Sequence, residues 1–225
     1  NKTYEAKDIL IATGANAKKL PITGSELTDT SYEFFNWEKQ PKSVAIVDGG
    51  YIAAELSSIL NAIGTEVTII IRKESVLNGF DHDMQSFLQE SFIKKGIKIL
   101  NNTMPNVIEK KENGDFLLSL SDGKKIETDK VIQCIGRQPN TKSLNCGIAG
   151  VNCSESGGII VKNNYQSSNQ NVFALGDCID LEQLTPVAIA QARQWTDMMY
   201  TKNKFHVSFN IIPTAIFSLP EAASV

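Results

Sequence analysis

The sequence predicts an α/β fold in which a parallel sheet flanked by helices is extended by an antiparallel meander. Three observations carry this expectation. Residues 43–47 (SVAIV) and 67–71 (VTIII) are short apolar runs on either side of a helical pattern. Together they span about thirty residues, the size of a βαβ crossover, which joins parallel strands. Between Val107 and Lys130 the apolar residues alternate instead, with Phe116, Leu118 and Leu120 in one register, the mark of strands with one solvated face. The chain has 225 residues, 42% of them hydrophobic, enough for one large or two ordinary domains with a real core.

Taken in order, residues 9–12 (ILIA) read as a first strand. The run 43–47 ends at Asp48-Gly49-Gly50, as a buried strand closed by a glycine turn does. Ile52, Leu56, Ile59, Leu60 and Ile63 then recur at helical spacing and Gly64 stops the helix. A second helix should carry Met84, Phe87, Leu88 and Phe92 on one face and break at Lys95-Gly96, before a strand over 97–100. The turn Ser121-Asp122-Gly123-Lys124 divides the meander, and 130–135 return to a buried run ending at Gly136-Arg137. Short strands are expected at 159–161 and 172–174. The last helix should run from Thr185 to Tyr200, with Thr185 as N-cap and Pro186 as its first residue.

Composition excludes several function classes. With 22 Lys+Arg against 25 Asp+Glu the net charge is -3, so the basic footprint of a nucleic-acid binder is absent. No apolar run of about eighteen residues occurs, and the opening Asn1-Lys2-Thr3-Tyr4 has no signal-peptide pattern, so a soluble chain with no membrane partner is expected. Cys134, Cys146, Cys153 and Cys178 form no C-x-x-C pair and no Cys/His cluster, so no metal site is expected. Dispersed thiols fit a reducing compartment, and a cytoplasmic location is expected.

The chemistry concentrates after residue 47. A strand, a glycine turn and a helix N-terminus form an anion site, because backbone N–H groups and the helix dipole point at the turn. Against the dinucleotide fingerprint G-x-G-x-x-G/A the chain reads Asp48-Gly49-Gly50-Tyr51-Ile52-Ala53, matching the second glycine and the third small residue but not the first glycine. Flavodoxin-like folds that bind no dinucleotide share a strand followed by Gly-Gly and a helix. At the end of the next strand, where an acid would read the ribose hydroxyl of NAD, stand Arg72 and Lys73. Two cations there favour the 2'-phosphate of NADP(H); the plain alternative is a solvated loop start.

Six ordered strings carry a resemblance: 47–56 (VDGGYIAAEL), 79–81 (GFD), 135–141 (IGRQPNT), 173–177 (FALGD), 184–190 (LTPVAIA) and 212–218 (IPTAIFS). Over essentially its whole length the chain resembles the flavoprotein (pyridine nucleotide) disulfide oxidoreductases, most closely those of glutathione reductase type, and looks like a central fragment of one. The resemblance implies a Rossmann-like NAD(P)-binding domain inserted between segments of an FAD-binding domain. Residues 1–14 would end the first FAD segment, 15–139 form the NADPH domain, 140–210 the returning FAD segment and 211–225 the start of a dimer-interface domain.

It also implies cofactors, roles and partners. Gly49, Gly50, Tyr51, Ile52, Ala53, Glu55, Arg72, Lys73, Gly136, Arg137, Gln183 and Ala215 would contact NADPH, with Tyr51 as an aromatic lid over the flavin and Glu55 beside the nicotinamide carboxamide. Thr13, Gly14, Asp177, Leu184 and Thr185 would contact FAD, Asp177 through a ribityl hydroxyl and Leu184-Thr185 as the helix start facing the flavin pyrimidine. The implied reaction passes a hydride from NADPH to FAD and then electrons to a small-molecule disulfide, glutathione disulfide first, within a homodimer. The alternatives are a non-catalytic NADP(H)-binding fragment, or a sister enzyme acting on trypanothione, thioredoxin or another disulfide.

Departures from the family pattern matter as much. Asp48 replaces the first glycine and puts a negative charge where a pyrophosphate is expected, so weakened NADPH affinity is anticipated. Asn78 stands where the family has a second phosphate-binding Arg. The chain holds no C-x-x-x-x-C, no N-terminal FAD glycine motif, and neither His82 nor His206 precedes Pro. No catalytic residue is therefore assigned, and the chain by itself is not expected to complete disulfide reduction. His82 is expected at the surface.

Overall fold

The computed structural model describes residues 2–201 and 207–225; His206 lies outside the described residues. Its helices and strands, in chain order, are β1 (Ile9–Ile11), β2 (Ala15–Ala17), α1 (Ser31–Phe34), β3 (Ser43–Val47), α2 (Tyr51–Ala62), β4 (Glu66–Ile70), α3 (His82–Lys94), β5 (Lys98–Leu100), β6 (Pro105–Lys110), β7 (Phe116–Leu120), β8 (Lys125–Thr128), β9 (Lys130–Gln133), β10 (Arg137–Pro139), β11 (Val172–Ala174), α4 (Thr185–Tyr200), β12 (Thr214–Ile216) and β13 (Ala222–Ser224). They fall into two compact units, one drawn from the described residues of Asn1–Asn16 and Arg137–Ile212, the other from Ala17–Gly136 and Pro213–Val225. The chain is mixed α/β with parallel and antiparallel sheets, as its sequence predicts.

In the Ala17–Gly136 unit the parallel sheet runs β5-β4-β3-β9. Strand alternation splits its side chains between two cores. Val44, Ile46, Val67, Ile69 and Ile71 share one core with Leu56 and Leu60 of α2 and Leu88 and Phe92 of α3. Ala45, Val47, Ile70 and Val131 share the other with Phe116, Leu118 and Leu120 of the antiparallel β6-β7-β8 meander. Helices therefore cover one face of the sheet and the meander covers the other. Strands buried on both faces read as continuous apolar runs, which is why 43–47 and 67–71 look as they do.

The helix faces correct the periodicity reading. Ile59 and Ile63 are exposed, and α2 instead buries Ala53, Ala54, Leu56, Ser57, Ser58 and Leu60. Small side chains let the helix lie close to the sheet, and the serine hydroxyls are satisfied locally: Ser57 Oγ donates to the Ala53 carbonyl at 2.5 Å and Ser58 Oγ to that of Ala54 at 2.8 Å. In α3 the buried stripe steps by four, through the partly buried Met84 to Leu88 and Phe92, and leaves Phe87 63% exposed. A 3.6-residue period places Phe87 one step round from Leu88, beyond the narrow contact with the sheet.

The sequence reading missed α1, whose start is a capping box. Thr30 Oγ1 accepts from the Tyr32 N–H at 3.3 Å while Glu33 Oε2 accepts from the Thr30 N–H at 2.7 Å. The Thr30 hydroxyl, ahead of the backbone contacts, holds the Glu33 carboxyl below its ordinary range. A carboxyl depressed by folding contributes stability above its unfolded pKa and loses it as pH falls through the folded value. Thr30→Ala is therefore expected to cost about 1 kcal/mol at neutral pH. Urea denaturation should show this deficit shrinking as pH drops below 4.5, the ordinary Glu value.

In the other unit β1 pairs in parallel with β11, Leu10 opposite Phe173, and β2 pairs with β10. The expected strand over 159–161 is absent: Ile159 makes only isolated bridges, to Cys153 and to Ile179. The helix α4 starts as expected, but its N-cap is Leu184, whose extended backbone (φ -124°, ψ 135°) makes it the last non-helical residue, with Thr185 already inside the helix. No helix among the described residues is long and apolar enough to cross a membrane.

Candidate dinucleotide site

The turn between β3 and α2 is built from three unlike residues. Asp48 takes the left-handed conformation, φ 86°, and its N–H donates to the Ile70 carbonyl at 2.9 Å. A glycine would sit there without strain; Asp is among the residues that tolerate it best. Gly49 is enclosed: a Cβ on it would lie 2.7 Å from Ile71 Cγ2 and 3.2 Å from Val76 Cα, while its carbonyl accepts the Leu77 N–H at 2.6 Å. Gly50 is the N-cap, at an ordinary φ of -69° and with no side-chain cap. The one atom within 4 Å of a Cβ built on it is Asp48 Oδ2, at 3.8 Å.

Neither backbone nor packing requires a glycine at 50. A Cβ there would project into open space at an uncapped helix N-terminus, the form of a cradle for an anion. The same distance puts the Asp48 carboxylate at the mouth of that cradle. Ala53, the third position of the fingerprint, is fully buried, and Tyr51 and Ile52 pack partly buried against the core. Glu55, one turn into α2, accepts the Phe217 N–H at 2.9 Å, so α2 and the segment around β12 are tied together; Ala215 is exposed on that strand.

Arg72 and Lys73 follow β4 after the buried Ile71, are both exposed, and border a cleft of about 610 Å³ lined also by Ser75, Asn78, His82 and Gln85. The cleft is polar and open and carries two cations, with Glu74 on its rim. Apart from Asn78, the contributions of the β4 to α3 loop and of Gln85 are not signalled by the sequence, because a loop that folds back over a strand end leaves no periodic pattern.

Cys134 also stands close by, with its N–H donating to the Val47 carbonyl at 2.9 Å. Burial, reinforced by the Asp48 charge, pushes its thiol up to about 12. A thiol so placed is inert at neutral pH. Iodoacetamide at pH 7.5 is expected to leave Cys134 unmodified in the folded chain, while peptide mapping finds it alkylated after denaturation.

Gly136 closes this unit in a left-handed turn (φ 96°) and its carbonyl accepts the Lys18 N–H at 2.9 Å. In the other unit three of the expected site residues gather. Arg137 Nη2 donates to the Ala15 carbonyl at 2.6 Å and lies 3.7 Å from Asp177 Oδ2, and Gln183 Nε2 donates to the Asp177 carbonyl at 3.4 Å. Leu184 and Thr185 begin α4, again with no side-chain cap, so a second uncapped helix N-terminus sits beside this group in sequence and in fold. Thr13 and Gly14 lie in the β1–β2 turn, their carbonyls accepting from Asn140 Nδ2 at 3.3 Å and the Asn140 N–H at 2.8 Å. Both uncapped helix starts suit groups that carry or develop negative charge.

Residues 1–192 match the family described as pyridine nucleotide-disulphide oxidoreductase. Over the whole chain the sequence is 36% identical to a glutathione reductase of Yarrowia lipolytica, covering 49% of that protein, and 35% identical to one of Nostoc, covering 51%. A trypanothione reductase of Trypanosoma congolense is 33% identical over 96% of the chain and 44% of its own length. The fold superposes on the HOCl-induced flavoprotein disulfide reductase RclA from Escherichia coli with a TM-score of 0.89 at 26% identity, over 96% of this chain and 50% of that one. The chain thus spans about half the length of the curated relatives it matches. With a family match over most of its length and a flavoprotein disulfide reductase fold, the chain belongs to the pyridine nucleotide-disulphide oxidoreductase family.

Proposed function

We propose that the chain is the NADPH-binding and flavin-contacting part of an FAD-containing disulfide reductase of glutathione reductase type. The observation that carries the reading is the pairing of an uncapped, open glycine turn at Gly50 with two cations, Arg72 and Lys73, at the end of the adjacent strand. When bound, NADPH supplies a hydride and FAD relays its electrons to a disulfide. Gly50 leaves room for the pyrophosphate against the α2 N-terminus, and Arg72 and Lys73 pair with the 2'-phosphate. Tyr51, Ile52, Glu55, Gly136, Arg137, Gln183 and Ala215 line the nicotinamide side in this reading. Asp177 accepts a flavin-chain hydroxyl, next to Thr13 and Gly14, and the α4 start at Leu184 and Thr185 favours negative charge on the flavin pyrimidine.

On this reading residues 1–14 and 140–210 serve the FAD domain, 15–139 the NADPH domain and 211–225 a dimer interface. The whole enzyme is a cytoplasmic homodimer acting on glutathione disulfide. Asp48 favours a second reading, a nucleotide-binding module whose phosphate site has been compromised.

Absorbance tests the choice. A yellow protein whose flavin band is bleached by NADPH, and far more slowly by equal NADH, supports the proposal. A colourless protein that still binds NADPH supports the module. Turnover of glutathione disulfide against trypanothione disulfide by the full-length enzyme then fixes the substrate.

A further inference from the structure

The cleft beside Arg72 and Lys73 has two walls, one from the loop that leaves β4 and one from α3. His82, Gln85, Ser86 and Gln89 all line it, and their spacing of i, i+3, i+4 and i+7 is that of a single helix face. Three hydrogen bonds fix the loop and this helix in place: Ser75 Oγ donates to Gln85 Oε1, Gln85 Nε2 to the Phe80 carbonyl at 2.7 Å, and the Val76 N–H to Gln89 Oε1 at 3.3 Å. The Asn102 N–H donates to the Lys73 carbonyl at 3.2 Å, so the strand end that carries the two cations is tied down as well. The Gln85 amide is thus committed at both ends to holding the walls, and Asn78 brings no charge. Among the described lining residues, His82, the first residue of α3, is the one side chain besides Arg72 and Lys73 that can become positive.

We propose that His82 is a specificity residue for the 2'-phosphate, a third cation supplied by α3 that favours NADPH over NADH below neutral pH, an inference that rests on the NADPH reading of this chain. Histidine changes its charge between pH 5 and 8. A phosphate monoester keeps most of its second negative charge down to about pH 6. Between these limits both charges are present, and a phosphate held by Arg72 and Lys73 on one wall meets an imidazolium on the other.

The charges around His82 set the size of the effect. On its own helix the Asp83 carboxylate lies 4.0 Å from His82 Nδ1, beyond hydrogen-bond reach, and the Asp81 carboxylate is turned to the backbone, accepting the Asp83 and Met84 N–H groups at 2.9 and 3.3 Å. From the loop, Arg72 and Lys73 repel a third cation and Glu74 offsets one of them. A phosphate dianion between the walls reverses that repulsion. The His82 side chain is 90% exposed, so solvent screens the contact and a gain of about threefold in affinity is expected.

Fluorescence titration of the whole chain with NADPH and with NADH at pH 6.5 and 8.0 tests this without reductase turnover. NADPH is expected to bind about threefold tighter at the lower pH, and NADH equally at both. His82→Gln should hold NADPH at both pH values with the affinity the native chain shows at pH 8.0, and His82→Arg, with a permanent charge, should bind tightly at both. Urea denaturation checks that these exposed substitutions leave the fold intact. The role of His82 is overturned if His82→Gln keeps the native pH dependence, or if it weakens NADPH and NADH alike. Arg72→Ala separates that failure from failure of the underlying reading. If Arg72→Ala loses the preference for NADPH while His82→Gln keeps the native pH profile, His82 alone is excluded. A native chain that binds NADPH no better than NADH overturns the 2'-phosphate reading and this inference with it.

Discussion

Gly50→Val is expected to weaken NADPH binding about a hundredfold and leave the chain folded, whereas Gly49→Val is expected to unfold the turn itself. Adjacent glycines thus separate into a ligand position and a packing position. At Gly49 a side chain would meet Ile71 Cγ2 at 2.7 Å and the backbone Cα of Val76 at 3.2 Å, and the backbone cannot give way as a flexible side chain would. Overpacking of this kind costs about 2–3 kcal/mol. At Gly50 the φ of -69° suits any residue and the nearest atom to a new Cβ is 3.8 Å away, so the expected cost is about 1 kcal/mol, that of a poor N-cap. The valine would nevertheless fill the space in which a pyrophosphate must approach the helix N–H groups. A loss of about a hundredfold in affinity, or about 2.7 kcal/mol, is expected. Urea denaturation with NADPH fluorescence titration reads both effects. Unchanged NADPH affinity in a folded Gly50→Val chain would show that no phosphate lies at this turn.

The contrast shows what the sequence could and could not disclose. Strand, turn, helix and strand were legible over 43–71 because a sheet buried on both faces demands continuous apolar runs, and because glycines punctuate them. The meander was legible because β7 alternates strictly, Phe116, Leu118 and Leu120 all facing one core. Helix faces were less so: Ile59, Ile63 and Phe87 read as core by hydrophobicity, yet α2 turns its alanines and serines to the sheet. Close approach selects small residues, and a pattern that counts only large apolar ones passes over them. At the site, Arg72 and Lys73 could be placed from the register of β4 with the glycine turn. The loop residues that complete their cleft, and the bond from the Phe217 N–H to Glu55, depend on tertiary closure across long stretches of chain and leave no local signal.

Asp48→Gly is expected to tighten NADPH binding about tenfold. The Asp48 carboxylate sits where an anionic ligand would otherwise be, one oxygen 3.8 Å from the Cβ position of Gly50 at the uncapped end of α2. It gains from the helix dipole there, on the order of 0.5 kcal/mol at a partly exposed position. It also opposes a pyrophosphate carrying two negative charges, and repulsion of about 1 kcal/mol or more is reasonable for like charges a few ångströms apart near a surface. Releasing φ 86° from a side chain gains on the order of 1 kcal/mol, so the glycine variant should be at least as stable as the native chain. Asp48→Asn separates charge from bulk, because the amide keeps the volume and tolerates the left-handed backbone. If repulsion dominates, Asn recovers most of the tenfold gain; if bulk dominates, only Gly does. Cys134 supplies a reading independent of the nucleotide. The Asp48 charge helps to hold its thiol near 12, second to burial, so Asp48→Asn should make Cys134 alkylation modestly faster at alkaline pH. Faster alkylation with unchanged NADPH affinity in both variants would mean that the carboxylate touches the thiol's surroundings but not the nucleotide. That result would return Asp48 to the role of a turn residue.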